Sequence, residues 1–114
     1  MPIKVGNIKQ SKFATITTAS NGLSLFTLPS QAQITNVRAF GTNFGVGTIT
    51  FNARPISQVT PVAFATIDGA TVATIQDGVL TGVVPFARQS EPSVISVSGI
   101  GATGGPATIE VEYA

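Results

Sequence analysis

The sequence predicts an all-β domain, an antiparallel sandwich or barrel. Val, Ile, Thr and Phe are frequent, and no stretch keeps a helical period. Eight or nine short strand-like runs recur at intervals of about ten residues, a spacing typical of sandwiches and barrels. Three of the segments between these runs contain residue pairs suited to tight hairpin turns: Asn21-Gly22, Asp68-Gly69 and Asp77-Gly78. With 114 residues, the chain has room for one core.

The chain divides into an extended basic N-terminal arm, residues 1–11, and a single β-domain, residues 12–114. Pro2, Gly6 and Asn7 interrupt the arm, and lysines space its charge. Within the domain, the predicted strands are 12–19, 23–28, 33–40, 47–53, 61–67, 70–76, 79–86, 93–98 and 107–114.

Two of the predicted strands alternate regularly between apolar and polar residues, so each has one apolar and one polar face. In residues 47–53 the inward positions are Ile49, Phe51 and Ala53. In the last strand Ile109, Val111 and Tyr113 alternate with Glu110 and Glu112, which we expect on a solvent face where they protect an edge strand.

Other strands break the alternation. In the second predicted strand, Leu23 and Leu25 are out of phase with Phe26 and Leu28. In the third, the apolar residues are spaced three apart instead of two: Ile34, Val37 and Phe40. These segments predict β-bulges, or strands that are covered on both faces.

The segment GIGATGG has the G-x-G-x-x-G spacing of a dinucleotide-binding turn, at Gly99, Gly101 and Gly104. That site requires a helix after the glycines, yet the residues that follow Pro106 alternate as a strand. We therefore predict a loose hairpin here and no cofactor.

The residue content argues against an enzyme. The chain has no cysteine and no histidine, which removes thiolate metal sites, disulfides and the commonest general base. Glu110 and Glu112 form the closest carboxylate pair, but on an exposed edge nothing would desolvate either of them, so we expect solvated surface rather than an acid–base pair. That pair, or Asp68 with Asp77, lacks the spacing of a calcium loop. We predict no catalytic, cofactor or metal site.

Binding functions are also restricted by composition. Three lysines in the arm and three scattered arginines fall short of the basic stripe of a nucleic-acid-binding protein, so we predict no nucleic-acid partner. Without tryptophan and with a single tyrosine, the chain has few stacking platforms for sugars. The first residues are not followed by an apolar run of signal-peptide or membrane length, so we expect synthesis in the cytoplasm, with neither export nor membrane insertion.

The low content of charged residues predicts association of this chain with copies of itself or with a partner. Charged residues make up 10% of the chain, against roughly 25% in ordinary domains, and a surface so poor in charge is weakly protected against self-association. All basic residues except Arg88 precede the first acid, Asp68: Lys4, Lys9, Lys12, Arg38 and Arg54. Folding either keeps this separation, giving a dipolar surface, or mixes the charges in space, and the sequence leaves both open.

The run LFTLPSQAQITNVRAFGTNFGVGTITFNA and the closing GGPATIEVEYA resemble the small β-sandwich virion proteins of tailed bacteriophages. Among these, the size of the chain and its lack of a catalytic set most resemble the capsid decoration, or cement, proteins with a jelly-roll-like fold. The resemblance implies a non-enzymatic protein of the capsid surface that binds between subunits of the major capsid protein and stabilises the head, often as a dimer or trimer.

Under this interpretation the arm is the candidate partner-binding segment, with Lys4, Lys9 and Lys12 contacting acidic capsid surface. The alternatives are a phage receptor-binding or tail-fibre module, a lectin-like carbohydrate-binding domain, and a tail-tube subunit that assembles into rings.

Overall fold

Nine β-strands and one 3₁₀ turn make up the regular structure of a computed structural model that describes residues 9–41, 48–68, 75–82, 88–100 and 107–114. The strands are β1 (Gln10–Ile16), β2 (Ser24–Leu28), β3 (Ile34–Gly41), β4 (Thr48–Pro55), β5 (Val62–Asp68), β6 (Ile75–Asp77), β7 (Val79–Leu80), β8 (Ser93–Ser98) and β9 (Ala107–Tyr113). The 3₁₀ turn is Thr18–Ser20. Among the described residues no helix is long and apolar enough to cross a membrane.

The strands form two antiparallel sheets, a four-stranded sheet in the order β1-β9-β3-β6 and a five-stranded sheet in the order β2-β8-β4-β5-β7. Apart from β7, which extends the edge of the second sheet, this is the strand arrangement of a jelly roll. The predicted all-β, jelly-roll-like sandwich is confirmed. Each predicted strand overlaps an observed one, although residues 70–74 and 83–86 of two predicted strands lie outside the described residues. β1 begins at Gln10 and so includes the last two residues of the predicted arm.

The core lies between the inner faces of the two sheets. Phe51 and Phe64 are fully buried, and their rings meet edge to face with centroids 6.1 Å apart. Around them pack the aliphatic side chains that the alternation in β4 and β9 predicted to point inward, among them Ile49, Ile109 and Val111. Packing of these two faces accounts for most of the buried apolar surface that holds the sheets together.

Both predicted interruptions of alternation contain a register shift. The pairing of β2 with β8 shifts between Ser24 and Phe26. The pairing of β3 with β9 shifts between Ile34 and Asn36, which lets Ile34 and Val37 both face the core although they are three residues apart. Phe40 pairs with Thr108 on the opposite, outer face, so the predicted three-residue set is only partly inward.

The predicted turn pairs do not all close hairpins. Asp77-Gly78 joins β6 in one sheet to β7 in the other, and the Gly78 N–H donates to the Val37 carbonyl at 2.8 Å. Asn21-Gly22 likewise lies on the connection between β1 and β2, which belong to different sheets. The Gly of the third pair, Gly69, lies outside the described residues. Of the described pairs, Asn21-Gly22 forms the predicted turn, with Gly22 at φ +76° and the Leu23 N–H donating to the Ser20 carbonyl at 3.0 Å, but both connections cross between sheets.

The glycine-rich segment also crosses between sheets, because β8 belongs to the five-stranded sheet and β9 to the four-stranded one. The expected hairpin is therefore wrong. Gly99 has φ +86°, and a Cβ there would collide with the Thr48 carbonyl oxygen. The next residue, Ile100, exchanges two hydrogen bonds with the Asn21 side chain, at 2.9 and 3.0 Å. Residues 101–106 lie outside the described part, and a strand follows them, as predicted.

Candidate interaction surface

Of the three lysines predicted to bind a partner, the two that the structure describes lie on opposite faces of the four-stranded sheet. Lys4 lies outside the described residues. Lys9 is exposed just before β1, on the outer face of the four-stranded sheet, where its Nζ lies 3.7 Å from Glu112 Oε1. Lys12 is opposite Val111 and therefore projects from the core-facing side of the sheet, yet it is exposed. In the described part of the chain β1 lies at the edge of its sheet, so Lys12 is an inward-facing charge on an edge strand.

Glu110 and Glu112 do not protect an edge. Their strand, β9, lies between β1 and β3, so the prediction of an edge strand is wrong. Their side chains lie on the outer face of the four-stranded sheet, and Glu110 is only 8% exposed. Solvated carboxylates were expected because local alternation identifies the face of a strand but not its neighbours.

An arginine from β3 binds these carboxylates. Arg38 Nη1 lies 3.1 Å from Glu110 Oε1 and 3.7 Å from Glu112 Oε2, while its Nε donates to Asp77 Oδ1 at 2.9 Å. The hydrogen bond to Glu110 raises the pKa of Arg38, partial burial lowers it, and the charges of the three acids raise it further. We call these four residues the Arg38 cluster. It ties together β3, β6 and β9.

The remaining carboxylate oxygens of the Arg38 cluster accept hydrogen bonds from hydroxyl groups. Ser11 Oγ donates to Glu110 Oε2 at 2.6 Å, and Thr35 Oγ1 donates to Glu112 Oε1 at 2.8 Å. Every oxygen of the two glutamates thus lies against a hydroxyl or cationic donor. Such a cluster is suited to cross-linking strands rather than to proton transfer.

The two halves of the charge pattern mix in space within the described residues. Lys9 and Arg38, from the basic first part of the chain, contact three acids of the second part: Asp77, Glu110 and Glu112. Of the two possibilities that the sequence left open, mixing therefore holds for these groups.

A hollow of about 200 Å³ opens at the end of the sandwich where β9 finishes. At its rim Arg88 Nη1 donates to the carbonyls of Gln31 and Ala114, at 2.8 and 3.1 Å. The hollow is also lined by Gln10 and by Tyr113, whose ring is buried and so presents no open face on which a sugar could stack. Within the described ranges no three acidic side chains are placed to hold a metal ion.

Sequence reasoning missed two exposed apolar side chains in the loop between β4 and β5, residues 56–61. Val59 is 90% exposed and Ile56 is 55% exposed. A signal was available, since these apolar residues lie between Pro55 and Pro61, in a segment with no strand alternation. The pattern does not say, however, whether such a loop folds back onto the core or projects into solvent.

The base of this loop is tightly hydrogen-bonded. Arg54 Nη1 donates to the carbonyls of Gln58 and Ile56, at 2.6 and 3.4 Å. Glu91 accepts bonds from both the backbone N–H and the hydroxyl of Ser57, at 3.0 and 2.8 Å. The Ile56 N–H donates to the carbonyl of Pro92 at 2.9 Å. The loop therefore has a defined shape set by two charged side chains at its base.

The contact with Ser57 lowers the pKa of Glu91, chiefly through the hydroxyl and then through the backbone N–H. We expect an NMR titration to place this pKa below that of an ordinary glutamate, and Ser57→Ala to raise it partway back. Because the folded-state pKa is the lower one, the associated stabilisation is present above the unfolded value of about 4.3 and is lost as the pH falls through the folded value. An unchanged titration in Ser57→Ala would contradict this assignment.

No protein-family model matches the sequence, and no curated protein matches it. Among solved structures, the chain is similar to one from the acid-stable capsid of Helicobacter pylori bacteriophage KHP30. The two chains are 18% identical, the alignment covers 92% of this chain and 86% of the other, and the TM-score is 0.50. At this identity the likeness concerns the fold: an all-β sandwich shared over most of both chains.

Proposed function

We propose that this chain is a structural protein of a bacteriophage virion that decorates the capsid and binds between subunits of the major capsid protein. The observation that carries the proposal is the jelly-roll fold, shared over nearly the whole length of this chain with a chain of similar size from a phage capsid. The role requires no catalysis. It requires a stable domain with surfaces for protein contact.

The surface chemistry supports protein binding. Few charges protect the surface, and large apolar side chains remain exposed in the described part, Phe13 and Val59 among them. The acids that might have served chemistry are bound within the Arg38 cluster. Weak, mostly uncharged contacts of this kind become strong when many copies repeat them around a shell.

We propose that the arm contributes to this binding. Lys4 and Lys9 would contact acidic capsid surface, and Lys12 would do so from the edge of β1. Lys9 supports the idea, because its side chain is exposed and it stands just before β1, which is an edge strand in the described part of the chain. The bound unit is proposed to be a dimer or trimer, which sedimentation equilibrium of the purified chain would identify.

The test is addition of the purified chain to capsids of the phage that encodes it, assembled without it. We expect saturable binding at a fixed number of copies per capsid and greater resistance of the capsid to heat. Removal of residues 2–8, which leaves β1 intact, is expected to weaken binding on the order of tenfold and to reduce its salt dependence.

Two results would contradict these proposals. A chain required for the shell to close, and unable to bind finished capsids, would be a shell subunit rather than a decoration protein. Full binding by the variant lacking residues 2–8 would exclude that part of the arm, including Lys4, as a binding segment.

A further inference from the structure

We propose that the loop of residues 56–61 is a docking element that inserts Val59 and Ile56 into an apolar, uncharged hollow on the capsid surface. This inference rests on the proposed capsid function and names the part of the domain that makes the contact. It assigns the loop a role separate from that of the basic arm.

Exposure is the first argument. Val59 is the most exposed large apolar side chain in the described part of the chain, and Ile56 lies on the same loop. Water contact with apolar surface is unfavourable in proportion to area, so both side chains favour a partner that covers them. Neither contributes to the core, and folding alone therefore gives no reason for valine and isoleucine here.

The second argument is the rigidity of the loop. Hydrogen bonds from Arg54 to the Gln58 carbonyl, from Ser57 to Glu91, and from Ile56 to the Pro92 carbonyl fix the backbone of residues 56–58, which lead directly to Val59. A loop that is already ordered loses little conformational entropy when it binds, which favours its use as an anchor. An apolar tip on a fixed support is the arrangement expected of a recognition element.

Charge defines the partner. The loop residues themselves, ISQVTP, carry no ionisable side chain. The nearby charges of Arg54 and Glu91 are engaged with the loop backbone and with Ser57, so they shape the loop rather than face a partner. The complementary surface is therefore an apolar hollow in a protein, since a nucleic acid or a strongly acidic patch would require exposed basic groups.

Size argues for the capsid rather than a second copy of this chain. The loop has six residues, whereas a stable interface uses roughly 20–30 residues on each side. Two loop tips meeting each other would be too small to hold a dimer. On a capsid, the same contact is supplemented by other contacts of the docked molecule.

The loop of residues 56–61 and the start of β1 lie at the same end of the sandwich. Gln10 at the start of β1 pairs with Tyr113 at the end of β9, while the adjacent Ala114 exchanges backbone hydrogen bonds with Gln33. Gln33 lies on the connection between β2 and β3, which begins after Leu28. Leu28 pairs with Ser93, and Ser93 also pairs with Pro55 at the base of the 56–61 loop. One surface can therefore engage both the loop and the start of β1.

The experiment compares Val59→Ser and Ile56→Ser with the control Leu23→Ser in the capsid-addition assay. Leu23 is 58% exposed, close to the 55% of Ile56, but it lies on the connection between β1 and β2, at the opposite end of the sandwich. We expect Val59→Ser to weaken capsid binding on the order of tenfold, and the control to change it less than about twofold. All three residues are exposed, so circular dichroism and the unfolding midpoint should stay unchanged.

The outcomes separate the two proposals. Wild-type binding with no loss in the loop variants overturns the docking loop and leaves the capsid function intact. Equal loss in the Leu23→Ser control overturns the loop as well, because the effect would then be nonspecific. If the wild-type chain binds no capsid, both proposals fall. If Val59→Ser dissociates a wild-type dimer in sedimentation equilibrium, the occupant is a second copy, which also overturns the inference.

Discussion

Replacing Gly78 with alanine is expected to destabilise the domain by about 3 kcal/mol, near the upper end of the usual cost of overpacking. A Cβ at this position would collide with Val37 Cγ2 and would lie 3.0 Å from Ile67 Cγ1. Val37 is fully buried and β-branched, so it has no alternative rotamer that leaves the core undisturbed. The Gly78 backbone also lies where the chain passes from one sheet to the other, which restricts relaxation.

Urea unfolding of Gly78→Ala measures this cost, and Gly22→Ala is the matched control. Gly22 has φ +76° with open space around its Cβ position, so alanine there costs only the left-handed backbone conformation, about 1–2 kcal/mol. In the double variant Val37→Ala/Gly78→Ala, the smaller side chain makes room for the new Cβ. We expect the combined loss to be smaller than the sum of the two single losses. Strict additivity would show that steric contact with Val37 is not the cause.

Replacing Arg38 with methionine is expected to cost about 2–3 kcal/mol. The substitution leaves Glu110, nearly buried, beside Glu112 with no arginine between them, and Asp77 loses its bond to the guanidinium. Breaking a fully buried ion pair costs about 3–5 kcal/mol, and the value here is reduced because the Arg38 side chain is 31% exposed and solvent screens part of the interaction.

The double variant Arg38→Met/Glu110→Gln tests whether charge is responsible. A neutral amide keeps the hydrogen bond with Ser11 but removes the carboxylate that has lost its partner, so stability should recover by about 1 kcal/mol relative to Arg38→Met. Lys12→Met provides the control for loss of a positive charge at an exposed site and should change stability by less than about 0.5 kcal/mol. A loss of equal size in this control would exclude the Arg38 cluster as the source.

The strands and their faces could be predicted because they depend on local pattern. Alternation in residues 48–53 and 107–113 correctly identified the inward side chains, and broken phase correctly located the register shifts at Leu25 and Thr35. A bulge displaces side chains by one position, so it leaves a signature within a few residues.

Strand pairing could not be predicted from the same signals. Asp77-Gly78 has the residues of a hairpin turn, yet it connects different sheets, because turn residues determine the local backbone and not the partner of the next strand. The environment of Glu110 follows from that partner choice: Arg38 and Ser11 reach it only because β3 and β1 flank β9. The role of the lysines at positions 4, 9 and 12 stays a prediction.

The position of β9 between β1 and β3 has a consequence for synthesis on the ribosome. Residues 10–16 and 34–41 cannot be joined to each other until residues 107–113 have left the exit tunnel, since partners in β1 and β9 are separated by 91 (Ile16–Ala107) to 103 (Gln10–Tyr113) positions. Until then, two strands expose unpaired edges to other nascent chains. The four-stranded sheet is therefore completed only after translation of β9, and Lys12, an exposed charge on β1, disfavours pairing of that strand with another chain.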